Sequence, residues 1–221
     1  MRMWARLTWQ AEDPEHLAAE LARRLGAESC RHDWQELAFA ISLGTATLEV
    51  VPWRRESPSD DPLPGGRLVF EGVPGGLARS APAELPPFAL AGVGWATVEL
   101  DRAERELAEW LAGEAPDPAD DVADPILGAR ARVRVADGLP GEAIVLLEPT
   151  TEGRIAGSLV RDGEGPCALY VHSTGGLDAW LLRARERGVR TSTVEAGPFG
   201  RAVLVAGSPV AGPHLLIVDA R

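Results

Sequence analysis

The sequence predicts an α+β fold assembled from an internally repeated unit, a strand followed by a helix and then by further strands. A short apolar strand runs into an amphipathic helix three times along the 221 residues, and internal repetition of this kind constrains a fold closely. No apolar run approaches the roughly 20 residues of a membrane span. The strands that open the three copies lie near Met3–Trp9, Val93–Leu100 and Ala168–His172.

The first helix is predicted over Asp13–Leu25. The Asp13 carboxylate can accept hydrogen bonds from the free backbone N–H groups of the first turn, Pro14 suits the first helical position, and Gly26 is a natural stop. Leucines at a spacing of four residues form an apolar stripe, Leu17, Leu21 and Leu25. The helix is therefore expected to cover one face of a sheet.

The second and third helices are predicted over Asp101–Ala112 and Gly176–Gly188, with the same apolar striping. Asp101 and Glu104 have the spacing of a capping box, which places the start of the second helix at Asp101. A shorter helix, Thr151–Val160, is expected to bridge the second and third copies.

The apolar segments between the helices are predicted to be strands. In ARARVRV, within Ala129–Ala136, the strict alternation predicts that one face of the strand meets water. Ala115–Pro125, which is rich in Pro and acid, is predicted to be a connector. The other predicted strands are Gln35–Ser42, Thr45–Val51, Arg67–Glu71, Glu142–Glu148, Arg201–Ala206 and His214–Asp219.

Composition and charge exclude several classes of function. The net charge of -11 argues against nucleic acid as a partner, because phosphate binding needs clustered basic groups. The chain contains no lysine, which excludes Schiff-base chemistry. The N-terminal residues lack the apolar stretch of a signal peptide, and Cys30 and Cys167 lie far apart without CxxC spacing. Both features favour a cytoplasmic protein with reduced thiols and no membrane partner.

The plan strand–helix–strand–strand–strand, used in tandem, resembles the vicinal oxygen chelate superfamily, the glyoxalase and bleomycin-resistance relatives. From Gly92 to Asp219 the chain resembles methylmalonyl-CoA epimerases, and the N-terminal copy is similar to glyoxalase-like domains. The resemblance implies tandem βαβββ modules that form curled mixed sheets around a bowl. The segments that carry it are LGTATLEVVPW at Leu43–Trp53, IVLLEP at Ile144–Pro149, GRIAGSLVRDGEG at Gly153–Gly165 and CALYV at Cys167–Val171.

The resemblance also implies a division of the chain. Residues 1–91 would form an N-terminal glyoxalase-like module with a loop-rich extension, and residues 92–221 would form the paired modules of the bowl. Three copies are an odd number for a fold that pairs its modules. A homodimer, or a degenerate fourth copy around Arg67–Glu71, is therefore expected.

Members of the superfamily bind a divalent metal through His, Gln or Glu in the first and last strands of each paired module, ligands that suit hard or borderline ions. The positions implied for these ligands are Val93 or Gly94, Val145, Pro166–Cys167 and Leu216. Of the residues found there, only Cys167 can bind a metal. We therefore expect neither a resident metal nor another cofactor.

Two residues are candidates for catalysis. Glu49 is the one carboxylate near a metal-equivalent position of the first copy, where it could be a ligand, a base or the exposed half of an alternating strand. His214 could act as a base if it points into the bowl, or have a structural role. The candidate ligand-binding residues are the tryptophans on or beside strands, with their flat apolar rings, and the cysteine, namely Trp9, Trp34, Trp53, Trp95 and Cys167.

Three hypotheses of function follow from this sequence. The first is a metal-free protein, such as a resistance or sequestration protein, that binds a small aromatic or apolar molecule in its bowl. The alternative is an enzyme, a metal-dependent lyase, isomerase or epimerase of the superfamily. The third is a structural or partner-binding subunit, which a filled bowl would favour, whereas an open apolar bowl favours binding and convergent His and Glu side chains favour chemistry.

Overall fold

The computed structural model describes residues 3–27, 29–31, 38–43, 46–53, 67–74, 87–110, 120–135, 143–206 and 213–219. The helices in these ranges are α1 (Pro14–Leu25), α2 (Leu100–Trp110), α3 (Arg154–Asp162) and α4 (Leu177–Glu186). The strands are β1 (Met3–Ala11), β2 (Ser29–Arg31), β3 (Phe39–Leu43), β4 (Ala46–Pro52), β5 (Arg67–Pro74), β6 (Phe88–Ala96), β7 (Val122–Asp124), β8 (Ala129–Val135), β9 (Ala143–Pro149), β10 (Gly165–Ser173), β11 (Glu195–Gly197), β12 (Gly200–Val205) and β13 (His214–Val218).

The first sheet has the strand order β2–β3–β4–β1–β5. Strands β1 and β4 pair in parallel, with α1 between them in the chain, and β3 and β2 extend the sheet by antiparallel pairing. These elements make one complete βαβββ module.

The second sheet contains two further modules, in the order β11–β12–β13–β10–β6–β9–β8–β7. The first and last strands of each module pair in parallel, β6 with β9 and β10 with β13, and an antiparallel pairing of β6 with β10 joins the two modules. The edge strands β7 and β11 approach each other, so the sheet curls into a nearly closed bowl. The α+β fold of tandem βαβββ modules is confirmed.

Strand β5 occupies a place in the first sheet that a partner module would otherwise fill. It pairs antiparallel with β1, as β10 does with β6. Only 13 residues separate it from β6, too few for a helix and three more strands, so any fourth copy is reduced to this strand. Since β6 begins at Phe88, the predicted division between residues 91 and 92 falls inside a strand.

The two sheets pack against each other through one shared apolar cluster. Leu7 and Leu68 of the first sheet and Leu169 of the second all belong to it. A hydrogen bond also joins helices α4 and α1: the Trp180 indole Nε1 donates to the Leu25 carbonyl at 3.2 Å. The first module therefore lies beside the bowl as part of the same core. No helix within the described residues combines the length and the apolar character needed to cross a membrane.

The helix starts agree with the sequence at α1 and α4, where the predicted first residues Asp13 and Gly176 are the N-caps, and differ at α2. Asp13 caps α1, its Oδ1 accepting from His16 N at 2.9 Å, and Gly26 ends it at φ 79°. Helix α2 begins before Asp101, and its Leu100 N–H donates to Oε2 of Glu148, at the end of β9, at 3.1 Å. The capping role predicted for Asp101 is therefore wrong, because an acid from the last strand of the module takes it.

Most of the arginine face of β8 meets helix α2 instead of water. Arg132 forms ion pairs with Asp101 and Glu104 of α2, and Arg134, only 3% exposed, pairs with Glu104 as well. The strand alternates as predicted, but the expectation that this face is solvated holds only at Arg130, which is exposed, since the polar side of the helix lies on Arg132 and Arg134. Within the segment predicted to be a connector, Val122–Asp124 forms the short strand β7.

Candidate functional site

The inward face of the bowl is an apolar core. Side chains alternate along its strands, so that Val145, Tyr170 and Leu216 point inward, while Ile144 and Leu215 lie on the outer face beneath the helices. The inward set forms one continuous cluster with side chains of α3, which lies over the same side of the sheet.

Two aromatic rings fill the centre of this cluster. Tyr170 and Phe199 pack with their ring centroids 5.2 Å apart. Glycines on β6 leave the space they need, because a Cβ on Gly92 would lie 2.9 Å from Phe199 Cζ and one on Gly94 would lie 3.3 Å from Tyr170 Cε2. The bowl therefore holds its own side chains where the sequence predicted a bound ligand.

A buried polar contact beside these rings is also internal to the protein. The Tyr170 hydroxyl donates to Asp124 Oδ2 at 2.8 Å, and the Leu127 N–H donates to Asp124 Oδ1 at 3.0 Å. Burial raises the pKa of the Asp124 carboxyl, and it raises the pKa of Tyr170 well above its ordinary value. This pair ties the edge strand β7 to β10 and offers no open group to a ligand.

Strand register identifies the positions that correspond to metal ligands. The first and last strands of the three modules pair through Thr8 and Glu49, Gly94 and Val145, and Tyr170 and Leu216. In the second and third modules these residues carry no carboxylate or imidazole. Cys167 is 5% exposed, and burial raises the pKa of its thiol to about 12, which disfavours the thiolate that a metal requires.

These residues do not fit a metal. Within the part of the chain that the structure describes, no three His, Cys, Asp or Glu side chains are grouped so that they could hold an ion.

The first module, by contrast, carries a polar face on its sheet. Its four residues, Thr8, Gln10, Glu49 and Arg67, lie on the side opposite the apolar cluster, and the first three are 8%, 5% and 8% exposed. Arg67 Nη2 donates to Gln10 Oε1 at 3.3 Å, and the guanidinium carbon lies 5.1 Å from the centroid of the Trp53 ring. We refer to these four residues as the polar face.

A cleft of about 290 Å³ opens beside the polar face. It lies between the edge strand β5 and the segment that leads from α3 into β10, and Arg67 belongs to both the cleft and the polar face. Because the segment includes GEGPC, the cleft lies where the sequence implied a metal ligand. The lining residues are Arg67, Leu68, Val69, Ser158, Asp162, Gly163, Glu164, Gly165, Pro166 and Cys167.

The carboxylates at the cleft are engaged by their own neighbours. Burial raises the pKa of Glu164, but hydrogen bonds from Val98 N at 2.7 Å, from Thr97 and from Arg102 outweigh this and hold it below its ordinary value. Asp162 pairs with Arg161 at 2.7 Å. Because these carboxylates already have partners within the protein, they form part of the wall of the cleft and are not available to bind a cationic ligand.

A serine and a histidine meet beside the cleft. Ser158 Oγ of α3 lies 3.4 Å from Nε2 of His214, which points to the inner side of the bowl at the start of β13. Burial lowers the pKa of His214 to about 4, and the positive charges of Arg154 and Arg161 act in the same direction. The imidazole is therefore neutral at pH 7.

The structure separates the candidate residues of the sequence into three groups. Cys167 lines the cleft, Trp53 stacks on Arg67 of the same cleft, and His214 contacts Ser158, which also lines it. Glu49 lies on the polar face, in the other sheet from His214. Trp34 lies outside the described residues.

Two tryptophans predicted to line a pocket pack against other apolar side chains, Trp9 in the core and Trp95, partly buried, at its margin. Trp9 is 4% exposed in the shared cluster, because alternation along β1 places it on the same face as Leu7. Trp95 packs with Leu100 and Leu107 of α2 on the outer face of the bowl.

Sequence reasoning missed Arg67 and Ser158. Arg67 opens a strand that looked isolated, and nothing local indicates its partners. A signal for Ser158 did exist: it is a lone hydroxyl on the buried side of α3, 1% exposed and three residues after the fully buried Ile155.

Comparison with solved structures identifies similar folds. Methylmalonyl-CoA epimerase from Mycobacterium tuberculosis is 25% identical, with a TM-score of 0.50 over 60% of this chain and 87% of that chain. The hypothetical protein BH1468 from Bacillus halodurans C-125 is 16% identical, with a TM-score of 0.47 over 61% of this chain and 95% of that chain. A Streptomyces coelicolor methylmalonyl-CoA epimerase variant, in complex with 2-nitronate-propionyl-CoA, is 22% identical, with a TM-score of 0.44 over 59% and 97%. No protein-family model and no curated protein matches the sequence.

Proposed function

We propose that this chain, which has the glyoxalase-like fold of the vicinal oxygen chelate superfamily, binds a small molecule in the cleft beside β5 and does so without a resident metal. The observation that carries the proposal is the contrast between the interior of the bowl and the cleft. The bowl, where the superfamily plan implies a ligand, is filled by Tyr170 and Phe199, which by itself favours a structural or partner-binding subunit, but the cleft retains about 290 Å³ and is what supports ligand binding.

The lining of the cleft is mixed, and its apolar part supports a small aromatic or apolar ligand. Leu68, Val69 and Pro166 supply apolar wall, and the guanidinium of Arg67, stacked on Trp53, supplies a flat cationic surface. A volume of this size is at the lower end of the range for ligand pockets. Such a protein would sequester its ligand, as a resistance protein does.

The metal-free part of the proposal rests on the residues at the implied ligand positions. Gly94, Val145 and Leu216 offer no donor atom, and the Cys167 thiol is buried. Elemental analysis of protein purified without chelator or affinity histidines tests this. We expect less than stoichiometric divalent metal, and a stoichiometric ion would overturn the proposal.

A metal-dependent lyase, isomerase or epimerase is the second candidate, and the polar face favours it. Glu49 lies beside Thr8 at the metal-equivalent position of the first module, close to Gln10. Among the three modules, only the first has polar side chains on both of the residues that face each other across its first and last strands at this position. Glu49→Gln would then abolish any activity found, whereas a change at the cleft would not.

Ligand binding is tested with a fragment library of small aromatic and apolar molecules, read out by thermal shift and then by calorimetric titration. Val69→Trp fills the cleft from β5, and Val160→Trp, at a position of α3 that is 90% exposed, is the matched control. We expect at least one fragment that binds the wild type and the control equally and the Val69→Trp variant more than tenfold more weakly. The proposal fails when no fragment binds, or when every fragment binds all three proteins alike.

Three further expectations stay predictions: a cytoplasmic location, a homodimer and no binding of nucleic acid. The last follows from the net charge of -11, and a filter-binding assay with duplex DNA and single-stranded RNA measures it directly.

A further inference from the structure

Ser158 and His214 are 56 residues apart in the chain and meet only in the folded protein. Ser158 lies on α3, and His214 is the first residue of β13. The distance from Oγ to Nε2 is 3.4 Å, somewhat longer than a closed hydrogen bond and within the range for a nucleophile and its base before a substrate is bound.

The histidine ring is available as a base. Its Nε2 faces Ser158, and burial together with the positive charges of Arg154 and Arg161 lowers the pKa of the ring, which is therefore neutral at pH 7 and has a nitrogen lone pair that can accept a proton.

The serine is also placed beside the cleft and a cation. Ser158 lines the cleft although it is only 1% exposed, which puts its hydroxyl at the floor. Arg161 Nη2 donates to the same Oγ at 3.5 Å and is also paired with Asp162, so a positive charge lies beside the hydroxyl.

We infer that Ser158 is a nucleophile with His214 as its general base, and that the cleft transfers acyl groups from small esters. Ser158 Oγ forms a bond to the carbonyl carbon while His214 Nε2 takes the hydroxyl proton. The ester C–O bond then breaks, and the proton passes to the leaving alcohol. Water attacks the acyl-serine in the same way and releases the carboxylic acid. This inference rests on the proposed function in one respect, that the cleft admits a small molecule.

Labelling with diisopropyl fluorophosphate tests the inference without knowledge of the natural ligand. In this reaction Ser158 Oγ forms a bond to phosphorus, fluoride leaves, and His214 takes the proton. We expect one adduct per chain, located on Ser158 by peptide mass spectrometry. No adduct, or an adduct on another residue, overturns the inference.

Variants show whether the histidine activates the serine. Ser158→Ala should abolish labelling, and His214→Gln should slow it about a hundredfold or more, the size of a lost general base. Ser173→Ala, at a fully buried serine outside the cleft, is the matched control and should label at the wild-type rate. A purely structural contact would lower stability in the His214 variant and leave its labelling rate unchanged, which overturns the inference.

The Val69→Trp variant separates this inference from the proposed function. If fragments bind in the cleft and Ser158 is not labelled, the acyl-transfer inference fails and the binding proposal stands. If Ser158 is labelled equally in Val69→Trp and Val160→Trp, the cleft is not the route and the proposed site fails. If the labelling of Ser158 is suppressed in Val69→Trp and not in Val160→Trp, the acyl-transfer inference and the proposed binding site are both supported.

Discussion

Two glycines of β6 leave the room that Tyr170 and Phe199 occupy inside the bowl. A side chain on Gly92 would meet Phe199, and one on Gly94 would meet Ala168 Cβ at 2.8 Å and Leu147 Cδ1 at 2.9 Å. Glycine is otherwise unfavourable within a strand, because it has no side chain to pack and loses more conformational entropy on folding than other residues do. The pair is explained by close approach of other side chains.

Gly94→Ala tests how tightly the bowl is filled. The added Cβ must displace Ala168 Cβ, which cannot rotate away, so we expect a loss of about 1–3 kcal/mol in the free energy of unfolding, measured with urea. Gly157→Ala on α3, where a Cβ meets nothing within 4 Å, is the matched control and should gain up to about 1 kcal/mol. Equal effects of the two substitutions would contradict a filled bowl.

The burial of His214 predicts a dependence of stability on pH. Its pKa is about 4 in the folded chain and 6.5 as the ordinary value, so between these values the unfolded chain binds more protons. The stabilisation from the neutral ring is therefore complete above pH 6.5 and is lost as the pH falls toward 4, by about 2 kcal/mol at pH 5.

The measurement compares urea unfolding at pH 7.5 and pH 5 in the wild type and in His214→Gln. Other groups titrate in both proteins, so the difference isolates the histidine. We expect the wild type to lose about 2 kcal/mol more than the variant on acidification. An equal loss would show that the ring is solvated in the folded state.

At the scale of elements, the second and third modules start their helices in the same way. Glu148, at the end of β9, accepts from Leu100 N of α2 and pairs with Arg130 of the neighbouring strand. In the third module, Asp219 follows β13 and accepts from Leu177 N of α4 at 3.1 Å, while Arg201 pairs with it. The acid after the last strand therefore couples sheet to helix and sits where the helix dipole favours negative charge.

Removal of either acid should destabilise its module. Glu148→Ala and Asp219→Ala each leave a helix N–H without its acceptor, so we expect a loss of about 1 kcal/mol each in the free energy of unfolding. Glu152→Ala, an exposed acid in the turn before α3, is the control and should change stability by less than about 0.5 kcal/mol. If all three variants have the same free energy of unfolding, the repeated contact between the acid and the helix N–H does not contribute to stability.

At the scale of the whole molecule, one sheet is complete and the other is a fragment. Within the described residues the bowl has eight strands and is nearly closed, whereas the first sheet has five strands and ends at β5. Its helix-bearing side is already buried against the bowl in the shared cluster. Thr8, Gln10 and Glu49 of its polar face are buried as well, so a second copy of the chain is expected to join at an edge of this sheet.

A homodimer built through this sheet is the prediction that follows from an odd number of modules. Light scattering coupled to size-exclusion chromatography should give twice the chain mass of 23.5 kDa at micromolar concentration. A mass of one chain across the accessible concentrations would contradict it, and β5 would then close the first sheet by itself.

Much of the fold was predictable because its signals are local. The Asp13 cap, the Gly26 stop and the leucine spacing of α1 each act within a few residues. The short strands β7 and β11 were missed because three residues carry too little periodicity to read. The solvated face expected for β8 was wrong at Arg132 and Arg134 because its partner, α2, is distant in sequence.

The candidate site was predictable only in part. Cys167 and His214 lie on the inner side of the bowl, where the sequence expected them, but the cleft that they adjoin was not predicted. Trp9 and Trp95 follow the apolar periodicity of their strands into the core and its margin, and a tryptophan looks the same in the sequence whether it packs or lines a pocket.

By itself the sequence determined the three βαβββ modules, the main helices and the apolar residue types at Gly94, Val145 and Leu216, because these depend on residue type and on spacing along the chain. Only the tertiary structure decided that Tyr170 and Phe199 fill the bowl, that β5 completes the first sheet, and that a cleft opens beside it. The physical reason is that occupied volume and convergence of side chains depend on contacts between residues far apart in the chain, which no local pattern encodes.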